Sequence, residues 1–123
     1  MNNELAQRAV ACKHWRWMPG MLGLSAKAGL WRVEQADLTA LFGAGAGPAS
    51  IHEVGAWLPD LDDPCTLGGL LALVREAWGC PHLSVVGTSE DWRIDAEGVV
   101  GVRDLHSYKS EAEALVAALE AAP

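Results

Sequence analysis

The chain has 123 residues and a formal net charge of −7, with half of its residues hydrophobic and a fifth charged. That length buries about two thirds of the unfolded surface around one core without any staple, and the composition is far from that of a disordered chain. No apolar run reaches the roughly 20 residues of a membrane span, the opening "MNNELAQRAV" lacks the layout of a signal peptide, and an acidic domain is ill suited to duplex DNA, so a cytoplasmic protein with no membrane and no duplex nucleic acid among its partners is expected.

In chain order, "NELAQRAVACK" reads as a short helix capped by Asn2 or Asn3. It runs into "ACKHWRWMPGM", where a thiol, an imidazole, two cations and two indoles crowd into residues 11–21. An extended backbone there sets Trp15 and Trp17 on one face and His14 and Arg16 on the other, and Pro19-Gly20 turns the chain. "GLWRVEQ" reads as a strand with Trp31 and Val33 on one face, "GAGAGPAS" (43–50) as a loop, and "SIHEVGAWL" as a further strand or extended segment. Residues 1–33 carry Arg8, Lys13, Arg16, Lys27 and Arg32 against Glu4 alone, while the remainder is strongly acidic. Such a bipolar chain either displays its cationic third to an anionic partner or folds it against its own acids.

The later part is more regular. In "LPDLDDPCTLGGLLALVREAWG", Asp63 is a natural N-cap, Pro64 a natural first helical residue and Gly79 a left-handed C-terminal stop, which predicts a helix over 64–78. Leu67, Leu70, Leu71, Val74 and Trp78 form its core stripe. Cys65, Gly68, Gly69 and Ala72 form an opposite stripe of small residues, suited to close packing by the N-terminal segment or by a second copy in a homodimer. "HLSVVGT", "DWRIDAEG" and "VVGVRDLH" predict a three-stranded antiparallel meander. In "SYKSEAEALVAALEAAP", Ser110 and Glu113 make a capping box for a helix over 111–121, with Ala112, Leu115, Val116 and Leu119 as its stripe.

The expected fold is therefore a single α+β domain of two layers. An antiparallel meander of three or more strands carries both helices on one face, beside an N-terminal helix and extended segment. Its parts are a basic, aromatic segment 1–42, a loop 43–50 and an α-β-β-β-α unit 60–122.

The runs "CKHWRWMPGM", "LPDLDDPCTLGGLLALVREAWG" and "EAEALVAALEAAP" resemble small hypothetical proteins of bacteriophages and prophages from GC-rich bacteria. The helix, meander, helix layout is similar to that of the phage ABA sandwich domain. The resemblance implies a viral accessory protein in the host cytoplasm, acting by binding, for example by blocking a host immune protein, and brings no catalytic residues with it.

Three cysteines without an export signal imply reduced thiols, with Cys65 expected as a small core filler. Cys12-Lys13-His14 and Cys80-Pro81-His82 together supply the four ligands of a tetrahedral zinc, although their spacing is unlike that of common zinc motifs. Asp60, Asp62 and Asp63 suit helix capping better than a hard-cation loop. No P-loop, nucleophile elbow or dinucleotide fingerprint is present, so a non-enzymatic protein without a cofactor is expected. Lys13, His14, Trp15, Arg16, Trp17 and Met18 combine the side chains favoured at binding hot spots. The partner is then a host protein; the competing readings are a sponge for an anionic nucleotide signal and a zinc-stabilised structural protein.

Overall fold

A computed structural model describes residues 3–25, 29–33, 39–40, 49–50, 57–102 and 104–123, and the fold is α+β. Helix α1 (Asn3–Ala11) buries Leu5, Ala6 and Ala9 along one face; Asn3 opens it, and Asn2 lies outside the described residues. After a turn, the chain forms strand β1 (Leu22–Ser25), which pairs antiparallel with β2 (Gly29–Arg32) on one side and with β5 (Leu58–Pro59) on the other. Trp31 and Val33 are both buried, as their alternation predicts. Strand β1 has no counterpart in the sequence reading, because "LGLS" carries too little β-branched or aromatic character to declare itself. A separate ladder joins β3 (Thr39–Ala40) to β4 (Ala49–Ser50). The expected loop 43–50 thus ends in a strand, and its residues 43–48 lie outside the described set.

Helix α2 (Pro64–Trp78) has the expected boundaries, with the Asp63 carboxylate accepting the Thr66 amide at 2.9 Å and Gly79 closing the helix at φ +63°. Helix α3 (Glu111–Ala121) is opened by Ser110, whose hydroxyl accepts the Glu113 amide at 3.1 Å. The reciprocal bond of the capping box falls one residue early, on the Lys109 amide. Strands β6 (Ser84–Gly87) and β7 (Trp92–Asp95) form an antiparallel hairpin.

The meander stops there. Instead of a third strand over 99–106, the chain turns at Gly98 and Gly101, both at positive φ, and again at Ser107 (φ +68°). It regains β7 only through an isolated bridge between Trp92 and Tyr108 and a bond from the Ile94 amide to Leu105 O. Left-handed glycines at a spacing of three break the extended run that the valines favour.

The layering also differs from expectation. Helix α3 packs on the hairpin, whereas α2 packs on α3. Beyond its predicted stripe α3 buries Ala114 and Ala118, so it is apolar on nearly all sides, the pattern of a central helix. Trp78 secures the helix pair by donating its indole N–H to Ala118 O at 2.9 Å. The stripe of α2 is confirmed at Leu70 and Val74, with Leu73 added and Leu67, Leu71 and Trp78 only half-buried.

A polar lock ties the N-terminal sheet to the start of α2. Arg32 grips both Asp63 oxygens at 3.1 Å and reaches Gly20 O. Thr66, fully buried, donates its hydroxyl to Asp63 and accepts the Leu22 amide at 2.8 Å. One carboxylate thus caps a helix, neutralises a guanidinium and fixes the side chain that holds β1. Its pKa is lowered below the ordinary 3.8, chiefly by the Arg32 hydrogen bonds, against an opposing effect of burial, with the Thr66 amide and hydroxyl adding to the lowering.

Candidate functional site

The segment 12–18 is shaped from both ends. A turn closed by the Trp15 amide on Cys12 O follows α1, after which residues 15–18 run without regular secondary structure. Trp15 and Trp17 come together edge to face with centroids 5.4 Å apart, and the row continues through Trp57 at 6.5 Å to Trp31 at 6.0 Å. Edge-to-face indoles match a positive ring edge to a negative face and add about 0.5–1.5 kcal/mol per pair beyond burial. The row lies on Gly23, where a Cβ would stand 2.7 Å from the Trp57 ring. Trp57 and Trp31 are buried, and Trp15 and Trp17 are half-buried against the core.

Met18 and Met21 cover Gly69 of α2, where a Cβ would meet Met21 Cε at 2.8 Å. The small-residue stripe therefore receives the N-terminal segment through methionines, not indoles. Gly69 is closed off inside the subunit, while Gly68 and Ala72 remain exposed. Cys65 is exposed as well, contrary to the expected core role: it lies in the first turn, on the side away from buried Thr66 and Leu70.

What remains open is a cleft of about 390 Å³, with residues 13–16 as one wall and Leu73, Glu76 and Ala77 of α2 as the other. Arg16 meets Glu76 in a two-bond pair at 2.6 and 3.1 Å, with both side chains more than half exposed. Each holds the other charged: the hydrogen bonds raise the Arg16 pKa and lower that of Glu76. His14 donates Nε2–H to Pro123 O at 3.0 Å. Lys13 is exposed and, among the described residues, has no ion-pair partner. The Trp15 indole N–H is buried without an acceptor. Lys13, His14, Trp15 and Arg16 are thus brought to one rim, whereas Trp17 and Met18 turn inward to packing.

The three ion pairs among the described residues, Arg8–Glu120, Arg16–Glu76 and Arg32–Asp63, each join an N-terminal cation to an acid of the later part. The charge asymmetry therefore closes largely on itself within the subunit. Sequence reasoning missed Glu76 and Leu73 as the opposing wall; no local signal joins them to residue 16.

The two Cys-x-His pairs do not converge. Cys12 donates its thiol to Leu119 O at 3.4 Å, whereas Cys80 lies against His82. Among the described residues no three His, Cys, Asp or Glu side chains gather as a ready metal site, so the four-ligand zinc arrangement is not formed. Asp63 is a cap, and Asp60 accepts the Asp62 amide in an Asx turn. Among the described residues no helix is long and apolar enough to cross a membrane. Comparison with family models, curated proteins and solved structures returned no match.

Proposed function

We propose that this chain is a non-enzymatic binding protein, an accessory protein of the phage type its sequence resembles, which docks an acidic surface of a host protein in the cleft of Lys13, Trp15, Arg16 and Glu76. One observation carries the reading: Arg16 is held by a solvent-exposed carboxylate, next to Lys13, which has no ion-pair partner among the described residues, in a cleft also lined by Trp15, Leu73 and Ala77. An exposed ion pair contributes about 0–1 kcal/mol to folding, so a partner carboxylate exchanges for Glu76 at little cost. The rigid indole beneath supplies contact area without ordering entropy. Blocking a host immune protein is the role that the resemblance to phage accessory proteins suggests.

Charge reversal tests it. The Arg16→Glu and Lys13→Glu chains are expected to fold as the parent does and to lose a specific protein retained by the parent from host lysate. Equal retention by all three chains would overturn the reading. A rise in melting temperature with cyclic or ADP-ribose-type nucleotides, which requires binding to the folded state, would replace it with the nucleotide sponge.

A further inference from the structure

The chain beyond β7 plays no part in the cleft, yet it encloses a concavity of its own. Residues 94–102 line a bowl of about 500 Å³, within the range of roughly 300–1,000 Å³ usual for ligand sites. Its shape is fixed by the backbone. The Val99 amide donates to Ala96 O at 3.2 Å, the Ile94 amide to Leu105 O at 2.8 Å and the Leu105 amide to Val102 O at 3.0 Å. A Cβ at Gly101 would stand 3.4 Å from the Trp78 ring, so the loop lies against a side chain already bonded to α3, and little ordering is left for an occupant to impose. Ile94, Ala96 and Val102 are buried and root the loop in the core, whereas Val100 at its tip is 94% exposed. Among the described residues no other large hydrophobic side chain is so open to solvent.

The lining is apolar or glycine except for Asp95 and Glu97. Both are exposed, and among the described residues neither has an ion-pair partner, since Arg8, Arg16 and Arg32 are taken up by Glu120, Glu76 and Asp63. Of the basic residues beside the loop, Arg93 lies outside the lining and Arg103 outside the described residues. An apolar concavity that carries carboxylates complements a side chain that is apolar along its stem and cationic at its head, as arginine is. Because Val100 is left almost wholly in solvent, an occupant that covers it extends past the bowl, as a stretch of polypeptide does and a small molecule does not. We infer that loop 94–102 is a second docking surface, for an extended segment of a partner protein in which arginine and aliphatic side chains alternate. Asp95 and Glu97 take a guanidinium, Val99 its stem, and Val100 an adjacent aliphatic side chain. The preference is opposite in sign to that of the cleft, whose partner is acidic.

The probe is the end-capped peptide Arg-Leu-Arg-Leu-Arg, titrated into the isotopically labelled full chain while its amide resonances are followed. Saturable shifts are expected at residues 94–102, and none with Glu-Leu-Glu-Leu-Glu. Affinity should fall about fivefold when Asp95→Asn and Glu97→Gln are combined and about threefold in Val100→Ser. All three side chains are exposed, so the variants keep the fold, which unchanged resonances elsewhere in the chain verify. Absence of shifts, equal shifts with the acidic peptide, or shifts centred on residues 13–16 and 73–77 overturn the surface. An undiminished affinity in the double variant overturns the charge complementarity, and one in Val100→Ser overturns the apolar contact.

Discussion

The N-terminal sheet and the later helical part are held by different means. Strands β1, β2 and β5 are two to four residues long and lean on a row of four indoles and one polar lock. Helices α2 and α3 are continuous, capped at their N-termini by side chains and joined by aliphatic stripes. The difference teaches where information about a fold is stored. A long helix repeats its burial pattern every turn, so several residues report the same fact. The small sheet relies on contacts that each occur once.

The sharpest test removes a contact of the second kind. Replacing Trp57 by Ala takes out the indole that touches both Trp17 and Trp31 and is expected to lower stability by about 3–5 kcal/mol in urea melts. A loss comparable to that of an exposed residue would show that the row does not hold the sheet. Next in size is Thr66→Val, which leaves the shape of the lock but strands the Leu22 amide; it is expected to cost about 1–3 kcal/mol. Calorimetry of the variant checks it.

A paired substitution sharpens the comparison on α2 itself. Gly68 faces open space, so Gly68→Ala is expected to stabilise by up to about 1 kcal/mol through helix propensity. Gly69→Ala meets Met21 and forfeits that gain. Equal melting shifts in the two would mean that the N-terminal segment does not rest on α2.

Acid provides a smaller effect of fixed sign. The Asp63 carboxyl titrates below its unfolded value, so the folded state binds its proton less readily. The stabilisation is complete above about pH 4 and fades as pH falls through the folded value. The Asp63→Asn chain should lose this component of the pH dependence in chemical melts between neutral and strongly acid pH. Smallest of all, Arg16→Glu should change stability by less than about 0.5 kcal/mol, as surface substitutions do; a larger loss would assign Arg16 to the fold and not to a partner.

Legibility in the sequence follows the same division. Asp63, Pro64, Gly79 and Ser110 mark helix ends by local chemistry, and each takes the expected position. The stripe of α3 is visible, but its central place is not, because Ala114 and Ala118 read as ordinary helix formers until another helix lies on them. The valines at 99, 100 and 102 suggest a strand, and the backbone demand of Gly98 and Gly101 overrides them. At the cleft, residues 13–16 stand out by composition. Their opposing wall does not, since Glu76 meets Arg16 across 60 residues of chain.

The indole row has an optical consequence. Four rings in edge-to-face succession, with Trp15 at the cleft and Trp31 in the interior, are close enough for excitation absorbed at one to migrate along the others. Arrival of a molecule at the outermost ring therefore alters light emitted from within the protein, and intrinsic fluorescence can follow occupancy of the cleft without any added label.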